Sequence, residues 1–153
     1  MSGVLVYRIV KAVYASAAYG GDGARLTNGR WHTRGTAVVY CSSSLALAAL
    51  ETLVHLQPLR VLPAYVVVPA LIPRNCILGV ETLHGPWERA PEKSLTREVG
   101  DAWVASGASL ALEAPSVVVP SERNYLVNPH HKDFHRIIIR PSFPFRFDKR
   151  LFA

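Results

Sequence analysis

Three short runs rich in Val, Ile and Tyr, from Leu5 to Val10, Ala37 to Cys41 and Tyr65 to Val68, have the pattern of strands. Between the first two lies a polar, glycine-rich stretch, Tyr19 to Gly35, which reads as loop. Ser42 to Leu56 opens with serines able to cap a helix, continues in strong helix formers and stops before Pro58, so it predicts a helix. Its apolar residues surround nearly the whole circumference, as in a helix packed on several sides. Glu51 sits within that apolar setting.

Val61 to Pro69 carries Pro63 and Pro69, which suit a strand near a sheet edge or its ends, and Arg74 to Gly79 is a further short candidate. Beyond the loop with Pro86 and Pro91, Ser94 to Ser106 places Leu95, Val99, Ala102 and Trp103 at helical spacing, with Gly107 where a C-cap belongs. Three β-type segments follow, Ser116 to Val119, Asn124 to Val127 and Arg136 to Ile139. Strands early and late with two helices between them predict an α+β fold with a mixed or largely antiparallel sheet. No repeat or linker divides the chain, so residues 1–153 are expected to form one domain.

Composition agrees with a globular protein: 153 residues, half of them apolar and 18% charged. The formal charge of +6 favours an anionic partner, but the basic residues are spread along the chain rather than gathered into a nucleic-acid stripe. Cys41 and Cys76 lie in apolar runs without metal or disulfide spacing and are expected to be buried, reduced thiols. Arg8 comes too early for a signal peptide, and no apolar run approaches the ~20 residues of a membrane span. A cytoplasmic protein is expected.

Several residues could carry chemistry. A carboxylate in an apolar helix is costly unless it is paired or hydrogen-bonded, so Glu51 is either functional or part of a narrow solvated stripe with Thr52 and His55. His55 is one turn away and within reach of it. Gly29-Arg30-Trp31-His32 has the residue types of a phosphate-binding loop, and equally those of an exposed loop anchored by its Trp. Tyr40 could stack on a flat ligand or belong to the core. Ser116 lacks the surroundings of a hydrolase nucleophile. His130 and His131 are adjacent and have no further ligand at zinc spacing, so no metal site is expected, and His131 is read as packing or hydrogen-bonding at a turn.

In order along the chain, Tyr7-Arg8-Ile9, Gly29-Arg30-Trp31, Val39-Tyr40-Cys-Ser-Ser, Ala48-Ala-Leu-Glu51 through His55, Gly100-Asp-Ala-Trp103, Pro115-Ser116 and Glu122-Arg-Asn124 through Phe134 resemble the RES domain. This is the toxin half of RES-Xre toxin-antitoxin pairs, named for its Arg, Glu and Ser. The resemblance implies that Arg30, Glu51 and Ser116 are those residues, Ser116 being preferred over Ser121, with Arg8 and Tyr40 as further pocket residues. It also implies an ADP-ribosyltransferase-like split sheet, NAD as substrate and a helix-turn-helix antitoxin as partner. Family members often carry Asn where this chain has His32. In this reading Glu51, Arg30 and Tyr40 are catalytic, and Arg8, Arg30, Tyr40 and Ser116 contact the dinucleotide. The competing expectations are a basic RNA-binding or RNA-cleaving toxin and a non-catalytic interaction domain.

Overall fold

The computed structural model describes residues 2–56, 62–80 and 93–152, with the side chains of 93 and 94 excepted. Eight strands form one sheet: β1 (Gly3–Lys11), β2 (Val39–Ser42), β3 (Tyr65–Pro73), β4 (Ile77–Gly79), β5 (Ala111–Pro115), β6 (Arg123–Val127), β7 (Ile138–Ile139) and β8 (Phe143–Phe145). Their order is β4-β5-β6-β2-β1-β3-β7, with β8 also on β3, and every pairing is antiparallel except β4 with β5. Among the described residues the two α-helices are α1 (Leu45–Leu53) and α2 (Lys93–Ser106).

Strand alternation sorts the core onto the two faces of the sheet. Val6, Val39, Cys41, Ala111, Tyr125 and Val127 pack together on one face. Val38, Leu112, Ala114 and Leu126 pack with Trp31 and Trp103 on the other, where α2 and the loop before β2 lie. α1 packs against β1 and β2. β1 and β2 pair only at Tyr7↔Ser42, so the sheet opens below that point. Arg8 fills the opening, donating from Nη1 to the Tyr40 carbonyl at 3.0 Å and from Nε to the Ala18 carbonyl at 2.7 Å.

Three local expectations are corrected. Ser116 to Val119 is a turn, and β5 ends just before it, because the Ser116 hydroxyl accepts the Val118 and Val119 amides, each at 3.0 Å, and bends the chain. Of the two places expected for Pro69, a sheet edge or a strand end, the structure gives the edge: it lies inside β3, in a gap of the outer pairing. Its carbonyl accepts from Arg140, so its nitrogen, which has no hydrogen, also points to that edge, where β8 has ended and β7 has not begun. α1 is shorter than predicted because Ser44 is the residue that caps it, accepting the Leu47 amide at 3.0 Å. It is also less enclosed: Leu47 and Ala48 are buried, while Leu50 and Val54 beyond its end are exposed. Val61, Pro58 and the loop with Pro86 and Pro91 lie outside the described residues. Gly107, at φ +61°, caps α2 as expected. Both cysteines are buried and free. Among the described residues no helix is long and apolar enough to cross a membrane.

Candidate active site

A cavity of about 600 Å³ opens between α1, the loop before β2 and the sheet. That is within the range of small-molecule sites, ~300–1,000 Å³. Arg8, Arg30, Tyr40 and Glu51 all line it, so the structure brings these four together from β1, the glycine-rich loop, β2 and α1.

Glu51 reaches the cavity from the last turn of α1. Its Oε1 accepts from the Ser116 hydroxyl at 2.7 Å. Ser116 is fully buried and is not among the cavity-lining residues; it stands behind Glu51. Because two backbone N–H groups already point at its oxygen, the serine hydrogen is left for the carboxylate. Ser121, the other serine after a proline, is exposed. The partner foreseen for Glu51, His55, makes no such bond: it lies beyond the end of α1, exposed on the cavity rim.

Arg30 is held through its backbone. The Thr96 hydroxyl donates to its carbonyl, and Arg97 Nε donates to that of Gly29 at 2.7 Å. Asp101, also on α2, accepts the Thr33 amide at 2.9 Å together with the Thr33 hydroxyl. Gly100 permits this docking, since a Cβ there would stand 1.7 Å from the Trp31 carbonyl oxygen. Thr96, Arg97 and Asp101 were not singled out from sequence. Thr96 stands two turns before Trp103 on the same helix face and is itself buried, so the helical pattern did not mark it as part of a site.

The loop also closes on itself around His32, which is 3% exposed. Its Nε2 faces the carbonyls of Ala24 and Thr27 at 2.7 and 2.9 Å, so the hydrogen sits on that nitrogen. Nδ1 pairs with the Tyr40 hydroxyl at 2.6 Å, and that hydroxyl also accepts the Trp31 amide at 3.2 Å. Gly29 is required here, because a Cβ would come within 2.3 Å of the His32 ring. Burial holds the Tyr40 hydroxyl well above the ordinary phenol range, outweighing the Trp31 hydrogen bond that lowers it. Tyr40 is therefore a neutral anchor whose hydroxyl is engaged by the loop. His131 is a turn residue: its Nε2 donates to the Gly107 carbonyl at 3.0 Å, and Nδ1 accepts the Asp133 amide at 3.0 Å.

A split, mostly antiparallel sheet with an arginine loop and a serine-held glutamate at its opening has an ADP-ribosyltransferase-like fold. The RES domain family model matches residues 5–148, and the chain belongs to the RES domain family. "Toxin Res" of Yersinia enterocolitica is 37% identical over 152 residues, covering 97% of this chain and 99% of that protein. "Toxin Res" of Photorhabdus laumondii is 37% identical over 137 residues, 88% of each chain. The "Prs ADP-ribosylating toxin" of a Sphingobium species is 34% identical over 143 residues, 90% of this chain and 89% of that one. In fold the chain is similar to a chain of the M. tuberculosis MbcT-MbcA toxin-antitoxin complex, with a TM-score of 0.71 at 16% identity over 94% of this chain and 85% of that one.

Proposed function

We propose that this protein is the toxin of a toxin-antitoxin pair and cleaves the bond between nicotinamide and ribose in NAD. The observation that carries the reading is the Glu51 carboxylate, fixed by Ser116 in the wall of a cavity that also presents Arg30, Tyr40 and Arg8. The name of the Sphingobium relative, an ADP-ribosylating toxin, supports NAD as substrate.

Breaking the glycosidic C–N bond sends its electron pair to the nicotinamide nitrogen and leaves an oxocarbenium-like ribose. Glu51 stabilises the charge that develops there and accepts a ribose hydroxyl. Arg30 binds the pyrophosphate, and Arg8, anchored in the opening of the sheet, adds positive charge on the same side. The Tyr40 ring packs against the nicotinamide, its hydroxyl being used by the loop. Ser116 acts through Glu51 as a positioning residue. Water, phosphate or a protein side chain then attacks the anomeric carbon and loses a proton. A helix-turn-helix antitoxin of the Xre type covers the cavity until the toxin is released.

The test is to incubate the pure protein with NAD and follow nicotinamide release. Wild-type protein consumes NAD, whereas Glu51→Gln and Arg30→Ala, both folded, do not. Undiminished NAD loss with Glu51→Gln refutes the mechanism. RNA cleavage without NAD loss would favour a ribonuclease instead.

A further inference from the structure

One row of the sheet breaks the apolar pattern of its neighbours. The register sets Asn124, Ser42 and Tyr7 side by side on β6, β2 and β1, and all three line the cavity. Two residues along, the row on the same face carries Leu126 and Tyr40. Asn124 and Ser42 are 9% and 4% exposed, and two apolar side chains at that depth would escape the cost of desolvating two polar ones.

Ser42 donates its hydroxyl hydrogen to Asn124 Oδ1 at 2.8 Å, which fixes the orientation of the amide. The amide nitrogen, with two hydrogens, has no protein partner among the described residues. No fully buried side-chain nitrogen or oxygen among those residues lacks a partner, so this nitrogen is open to the cavity. A nearly buried donor is therefore aimed into the same space as the Glu51 acceptor.

We propose that Asn124, oriented by Ser42, is a substrate-binding residue whose amide nitrogen donates to an oxygen of the nicotinamide-ribose half of NAD. Glu51 can only accept and Asn124 Nδ2 can only donate, so together they match a group that offers both a hydroxyl hydrogen and an oxygen lone pair. Ser42 is the positioning residue of the pair. The proposal rests on the NAD reading above, and the experiment separates the two.

Steady-state NAD consumption is measured for Asn124→Ala, Asn124→Asp, Ser42→Ala and the Ser42→Ala/Asn124→Ala double variant, with a thermal melt of each. Asn124→Ala lowers kcat/KM about 10-fold, the size of one neutral hydrogen bond. Asn124→Asp is nearly isosteric but offers acceptors only, so it falls at least as far; it carries the test if the alanine variant fails to fold. Ser42→Ala loses less, and the double variant is no worse than Asn124→Ala, because Ser42 acts through Asn124. With the thiocarboxamide analogue of NAD, a wild-type loss that disappears in Asn124→Ala assigns the carboxamide oxygen, and equal losses in both proteins assign a ribose oxygen. Folded Asn124→Asp with undiminished kcat/KM overturns the proposal while the NAD reading stands. A wild-type protein that leaves NAD intact overturns that reading and this proposal with it.

Discussion

Replacing Ser116 by Ala removes one hydroxyl with three hydrogen bonds: one donated to Glu51 and two accepted from Val118 and Val119. The bond to a charged carboxylate contributes ~1.5–3 kcal/mol. The two amides belong to half-buried residues that water can reach in part, and each costs ~1 kcal/mol at the low end of the range for an unmet donor. Stability should fall by about 3.5–5 kcal/mol, and for a domain of this size each kcal/mol lowers Tm by roughly 2–4 °C. The kinetic effect is separate. A released Glu51 must be reordered in the transition state, so kcat for nicotinamide release should drop about 10–100-fold, measured well below the Tm of the variant. KM for NAD should hold, because Ser116 does not line the cavity. A folded Ser116→Ala protein with kcat within about twofold of wild type refutes the positioning role. A raised KM at unchanged kcat would return Ser116 to the dinucleotide contact expected from the resemblance.

Gly100→Ala drives a Cβ to within 1.7 Å of the Trp31 carbonyl oxygen, which is backbone and cannot swing away. The substitution should destabilise by ~1–3 kcal/mol or more and separate α2 from the Arg30 loop, raising KM for NAD; a melt and activity like those of wild type would contradict the docking described. Alkaline pH should unfold the protein early. Burial raises the phenols of Tyr19 and Tyr40 above their ordinary range and pushes Tyr125 up to about 12, helped there by a hydrogen bond to Glu113. Below pH ~10 both folded and unfolded chains keep these protons and the stabilisation is complete. Above it the unfolded chain ionises first, so Tm should fall steadily from pH 10 upward, and a flat Tm between pH 9 and 11.5 would argue against phenol burial.

The segments with local reasons to form were legible in the sequence. β1 and β6 carry Val, Ile, Leu and Tyr in strand-sized runs, and α2 shows both its helical spacing and its Gly107 cap. The turn at Ser116 was not legible, because Val117 to Val119 reads as strand by composition and the hydroxyl that bends it competes from one residue upstream. β5 was missed for the opposite reason: Ala-Leu-Glu-Ala-Pro has little strand propensity and becomes a strand between β4 and β6.

The candidate site shows the same division at greater cost. Arg30 and Glu51 are 21 positions apart, on a loop and a helix whose own patterns say nothing of each other. Their meeting is decided by contacts of long sequence separation: Ser116 on Glu51 across 65 residues, and Thr96 and Arg97 on the Arg30 loop across 66 and 68. None of these has a periodicity to read, so from the residues alone the carboxylate and the arginine each kept a bland alternative, and only the ordered family pattern paired them. The structure supplies the physical reason for that order. Gly29, Gly100 and Ser116 are the positions where a larger or apolar side chain would displace the loop, lift α2 or free the carboxylate. The short motifs that carry the resemblance therefore fall on residues that hold the site in place as well as on those that face the cavity, and Ser116, expected from that resemblance to be one of the three namesakes, lies behind the cavity wall.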